Sequence, residues 1–98
     1  MFYNVFLNYV SANNISDNDL SKLCDYVENV LEDIVIQFRG QFFEEGMESK
    51  LRAQYESRLS IMIAKKGGNF EKLSAEQQKF IQSRVNLALD LFKKEYES

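Results

Sequence analysis

Between residues 16 and 45 the apolar positions recur every three or four residues: Leu20, Leu23, Val27, Val30, Leu31, Ile34 and Phe38. That spacing predicts one long amphipathic helix, because residues three and four apart share a face. The opposite face is acidic, with Asp25, Glu28, Glu32 and Asp33. Ser16 suits the N-cap, and Asp17 and Asp19 suit the positive end of the helix dipole. Asp19 also holds the third helical position as a short-armed capping box, and Ile15 and Leu20 bracket the cap as a hydrophobic staple. Further on, Gly40 predicts a bend, a close helix contact or a helix end. Ile36 and Phe43 fall on the otherwise polar side, so residues 36–43 are apolar nearly all round. Either the first helix or another copy of the protein has to cover them.

The rest of the chain reads as helix too. Residues 2–12 put Phe2, Val5, Phe6, Tyr9 and Val10 on one side and Asn4, Asn8 and Ser11 on the other. They form a short first helix, broken by Asn13 and Asn14, that cannot persist without packing on something. Gly46 is the next break. A third helix over 47–66 follows, with Leu51, Tyr55, Leu59 and Met62 as its core stripe. Lys65 and Lys66 suit its negative end, and Gly67 and Gly68 supply the left-handed conformation that stops it. After a loop over 69–73, Ser74 and Gln77 form a capping box. It opens a last helix, 75–97, that buries Phe80, Ile81, Val85, Ala88, Leu91 and Phe92. The outer face of that helix is Lys79, Ser83, Asn86, Asp90, Lys93 and Glu97. No proline, repeat or low-complexity tract interrupts this pattern. The fold class is therefore all-α: a small bundle of three to four helices, in a single domain over residues 1–98.

Charge adds an asymmetry that the net value of −3 conceals. Residues 1–48 hold nine acids and two bases, Lys22 and Arg39, whereas residues 49–98 hold six acids and ten bases. Acidic and basic helices packed side by side account for this, and so does head-to-tail self-association or a basic face for an anionic partner. The bases of the second half are dispersed, and its two helices are too loosely joined for a helix-turn-helix, which argues against duplex DNA. No run approaches the roughly 18 apolar residues of a membrane span, and no signal peptide is expected at the N-terminus. The single cysteine, Cys24, lies at an apolar position of the long helix and points to a reducing, cytoplasmic setting with a structural thiol.

Candidate chemistry is sparse. Without histidine there is no histidine acid–base, metal or nucleophile-pair chemistry. Glu44, Glu45 and Glu48 have the spacing of half a hard-cation site, but no second acidic pair follows one helix later, so no metal or cofactor is expected. Gly67 and Gly68 lack the order of a phosphate-binding loop. Arg84 is the notable residue: it falls near the middle of the last helix's apolar face, between Phe80, Ile81, Ala88 and Leu91. A guanidinium there needs a partner, and Glu28, Glu32 and Glu45 of the long helix are the candidates. Alternatively Arg84, with Arg52 or Arg58 at the margins of the third helix's stripe, lines a groove for a phosphate or a carboxylate. The sequence thus leads to a non-enzymatic interaction protein: a self-associating adaptor, regulator or inhibitor of another protein, with Ile36 and Phe43 at the oligomer interface. The other reading is a binder of a small anionic ligand such as a nucleotide, held by Arg84, Arg58 and Arg52 in a groove between helices or protomers.

Overall fold

A computed structural model describes residues 14–37 and 46–97. These form three α-helices and one short 3-10 turn, with no strand among the described residues. Helix α1 is Asp17–Gln37, α2 is Met47–Lys65 and α3 is Ala75–Glu97, with the 3-10 turn at Phe70–Lys72 between α2 and α3. The expected first helix, Gly40 and Phe43 lie outside the described residues. Gly46 does interrupt the path: it has φ +94° and precedes the first residue of α2, so the long helix does not run through it.

Cross-helix contacts fix the directions. Gln77 meets Asp17 and Arg84 meets Asp25, so α1 and α3 run parallel. Tyr55 meets Glu28 and Arg52 meets Asn86, so α2 runs opposite to both. The result is an up-down-up arrangement in which all three helices pack against one another. The antiparallel α2 sets its dipole against the two parallel ones.

The core is one cluster drawn from every element. It takes Leu20, Leu23, Cys24, Val27, Leu31 and Val35 from α1 and Leu51, Tyr55, Leu59 and Ile63 from α2. From α3 it takes Ile81, Val85, Ala88, Leu89 and Phe92, and Ile15 and Leu73 close its ends. Three details differ from the periodicity. In α2 the buried row follows a strict spacing of four, so Ile63 fills the core and Met62 is only half-buried. Val35 joins the α1 stripe while Val30 and Ile34 sit half-buried at its edge. In α3 the apolar arc is wider than the contact, and packing selects its Val85–Leu89 side. Phe80 and Leu91, expected in the core, are exposed at 36% and 57%.

The helix ends follow local chemistry. Ser16 Oγ accepts the Asp19 N–H at 3.1 Å. Ser74 Oγ accepts the Gln77 N–H at 3.1 Å, and Gln77 Oε1 accepts the Ser74 N–H at 3.3 Å, completing the capping box. At the end of α2, the Gly68 N–H donates to Ile63 O at 2.9 Å and the Gly67 N–H to Ala64 O at 3.0 Å. That is a Schellman motif, with Gly67 left-handed at φ +87°.

Long-range polar clasps then join these ends. Asn14 Nδ2 donates to Asn69 O at 2.8 Å, and the Asn69 N–H donates to Asn14 Oδ1 at 2.6 Å. Gln77 Nε2 donates to Ile15 O at 2.9 Å and Asp17 Oδ1 at 3.0 Å, so the side chain that caps α3 also holds the start of α1. Gly68 is where these clasps leave no room. A Cβ built there would stand 2.5 Å from Asn14 Oδ1, 2.9 Å from Asn14 O and 2.9 Å from Ile63 Cγ2.

The two glycines therefore separate two effects. Gly67→Ala meets no atom within 4 Å and has only backbone strain to absorb, about 1 kcal/mol. Gly68→Ala has to displace a hydrogen-bonded asparagine and is expected to cost more, about 2–3 kcal/mol. Urea unfolding of both variants checks the order, and equal losses would show that the Asn14 clasp yields freely.

Candidate functional site

Arg84 projects from α3 across the parallel neighbour α1. Its Nε donates to Glu28 Oε2 at 3.0 Å and its Nη2 to Glu28 Oε1 at 2.8 Å, a bidentate pair. Nη2 also reaches Asp25 Oδ1 at 2.6 Å, and Nη1 reaches Ser21 Oγ at 3.4 Å. The three α1 residues are spaced by four and three, so one helix face presents them together. Phe80, one turn before Arg84, lies with its ring centroid 5.6 Å from the guanidinium carbon. That cation–π contact gives the half-open phenyl ring a partner.

The third helix enters through Tyr55. Its ring is fully buried on the α2 stripe, and its hydroxyl donates to Glu28 Oε2 at 2.6 Å. A buried phenol requires such an acceptor. One carboxylate on α1 thus accepts from α2 and from α3. Burial, reinforced by the bond to Glu28, raises the Tyr55 pKa well above its ordinary value. The bonds to Glu28 raise Arg84 as well, outweighing the opposing effect of burial. Cys24, fully buried beside them, is raised by desolvation, partly offset by a hydrogen bond with Tyr55. At neutral pH the cluster holds a charged guanidinium, a neutral phenol and a neutral thiol. None of these is a nucleophile or an acid ready to react.

Of the partners expected for Arg84, Glu28 is the one the structure gives it. Glu32 lines the adjoining groove with Leu87, Leu91 and Phe92, and Glu45 lies outside the described residues. Asp25, Ser21 and Tyr55 were not anticipated. The signals for them were the shared face of Ser21, Asp25 and Glu28, and the hydroxyl of a tyrosine placed on a core stripe. Arg84 itself sits at the border of the α3 core, not at its middle, with 20% of its side chain exposed.

The other two arginines are elsewhere. Arg52 faces α3, where Nη2 donates to Asn86 Oδ1 at 2.7 Å and Nη1 to Gln82 Oε1 at 3.4 Å. Gln82 in turn donates to Glu56 at 3.1 Å. Arg58 lies in the groove between α1 and α2 with Tyr26, Val27, Val30, Ile61 and Met62. Its Nε is buried without an acceptor. The three candidate arginines thus occupy three different grooves and do not converge. Ile36 is 42% exposed near the end of α1. Glu44 lies outside the described residues, and among the described residues no three acid, cysteine or histidine side chains group to hold a metal ion.

No helix among the described residues is long and apolar enough to cross a membrane. Compared with protein-family models, curated proteins and solved structures, the chain matches none.

The cluster should behave as a structural joint. Arg84→Ala leaves Glu28 and Asp25 without their counter-charge and is expected to cost about 2 kcal/mol, below a fully buried pair because all three groups keep some solvent. Because the folded pKa of Tyr55 is raised, its contribution is complete below about pH 10 and is lost as pH rises beyond that. Tyr55→Phe is expected to flatten this alkaline loss. Denaturant midpoints between pH 7 and 11 measure both, and an unchanged alkaline slope in Tyr55→Phe would remove Tyr55 from the joint.

Proposed function

We propose that this chain is a non-enzymatic helical interaction protein that associates with itself and serves as an adaptor, regulator or inhibitor of another protein. The observation that supports this reading is the pair of apolar strips exposed among the described residues on either flank of α1. Leu87 and Leu91 stand on the α3 side, and Tyr26 and Ile61 on the α2 side, each more than half exposed. Ile36 adds an exposed apolar side chain near the end of α1. The chemistry of the joint supports the non-enzymatic half of the reading, since the Cys24 thiol and the Tyr55 phenol are both held neutral. The lone buried cysteine fits a reducing cytoplasmic location.

Light scattering behind a sizing column is the direct measurement. A mass above that of one chain at low salt, falling as salt rises toward 0.5 M, is expected for an assembly that uses the charge split. A monodisperse monomer at every salt concentration counts against self-association.

The anionic-ligand reading narrows to Arg52. Nε and Nη2 of Arg84 are engaged by two carboxylates, whereas Arg52 donates to the neutral amides of Gln82 and Asn86. Those amides border a shallow groove with Lys79 and Phe70. On this reading a nucleoside triphosphate raises the melting temperature by a few degrees and Arg52→Ala abolishes the shift. No shift across a nucleotide panel would end it.

A further inference from the structure

Positions 80, 84, 87 and 91 of α3 advance by four, three and four, and so form one stripe along the helix. Phe80, Leu87 and Leu91 make it apolar, and Arg84 within it is turned onto α1. The bordering groove is shared with Glu28, Asn29 and Glu32 of α1. The Asp25 side chain remains 64% exposed even while bonded to Arg84. Arg84 offsets only part of the charge of Asp25, Glu28 and Glu32, so this flank is an apolar strip with an acidic rim.

The opposite flank repeats the geometry with the sign reversed. Positions 54, 58, 61 and 65 of α2 advance by the same steps and hold Gln54, Arg58, Ile61 and Lys65. Across the groove stand Tyr26, Val27 and Val30 of α1. By helical spacing Lys22, Asp19 and Asp33 share the side of α1 that holds Tyr26 and Val30, and Lys50 continues the α2 stripe, so with Arg58 and Lys65 this flank holds four bases against two acids. Among the described residues Arg58 has no carboxylate partner, although a partly buried guanidinium calls for one. This flank is an apolar strip with a basic rim.

We propose that the two flanks are the two halves of one contact, in which the acidic α1/α3 flank of one copy receives the basic α1/α2 flank of a second copy of this chain. The proposal rests on the self-association reading above and adds the faces and the symmetry. A two-fold contact centred on either flank alone would set that flank against itself, acid against acid or base against base, which repulsion disfavours. Setting unlike flanks together matches charge and covers both strips. Because the flanks lie on opposite sides of α1, a copy bound through one still offers the other. Assembly is then head-to-tail, growing with concentration or closing into a ring.

Two variants test this, both altering only exposed side chains so that the helices keep their core. One carries Leu87→Lys with Leu91→Lys, blocking the acidic flank. The other carries Tyr26→Glu with Ile61→Glu, blocking the basic flank. Circular dichroism melts establish that both fold. At a concentration where the unaltered chain assembles, each variant alone is expected to run as a monomer. An equimolar mixture at moderate salt is expected to give a complex of two chains and nothing larger, because only one competent contact remains. An unaltered chain that is monomeric overturns this proposal together with the self-association reading. An unaltered chain that assembles, while either variant still assembles alone or the mixture stays monomeric, overturns the assignment of faces and leaves self-association standing.

Discussion

The three helices are tied at one carboxylate. Glu28 on α1 accepts the Tyr55 hydroxyl from α2 and two guanidinium hydrogens from α3, so a single side chain fixes the axial position of all three helices. Apolar packing alone does not do this. A helix that slides by one turn past its neighbour exchanges Leu for Val or Ile with little change in buried area. The same slide separates Glu28 from both donors and strands a buried phenol and a guanidinium. The polar joint therefore contributes to register more than to net stability. Desolvation of the charges offsets much of their attraction, while breaking the joint leaves unpaired groups.

The far end of the assembly is held in another way. There the starts of the parallel α1 and α3 meet the end of the antiparallel α2, and the start of α1 has to be aligned with a turn 55 residues away in sequence. Asn14 reaches the 69–73 loop through two bonds to Asn69, and Gln77 reaches from α3 to the backbone of Ile15. Gly68 makes the first of these possible by letting Asn14 approach its backbone. Neutral amides suit this end, because the positive ends of two helix dipoles already face it and Asp17 and Asp19 lie in the first turn of α1.

What was legible in the sequence was whatever depends on near neighbours. Ser16, the Ser74 and Gln77 box and the Gly67 stop each act over four residues or fewer, and each is where the sequence places it. The burial of α1 and α2 was legible along the middle of each stripe and missed at its edge, where Val35 and Ile63 are buried and Val30, Ile34 and Met62 are only half-buried. The last helix was less so. Its apolar residues span more than half its circumference, so periodicity finds the middle of the arc, whereas packing uses only the side that two neighbours can reach. Placing Phe80 and Leu91 in the core follows from that, and so does placing Arg84 at its centre. The Asn14 and Gln77 clasps and the Tyr55 hydroxyl bond join residues 27 to 62 apart, and no local pattern encodes them.

The wide arc of α3 has its own consequence. Three helices packed on one another bury one stripe each, and a helix whose apolar surface is twice as wide leaves half of it in solvent. On α3 that half begins at Phe80, which leans on Arg84, and continues through Leu87 and Leu91, which have no such support. Arg84 forms the boundary between the two halves. Its inner side closes the joint with Glu28, and its position in the outer stripe puts the joint's unspent negative charge beside the exposed leucines. The side chain that fixes the fold thereby also sets the electrostatic character of the surface next to it. A change at Arg84 acts on both at once, whereas Leu87 and Leu91 can be altered without touching the joint.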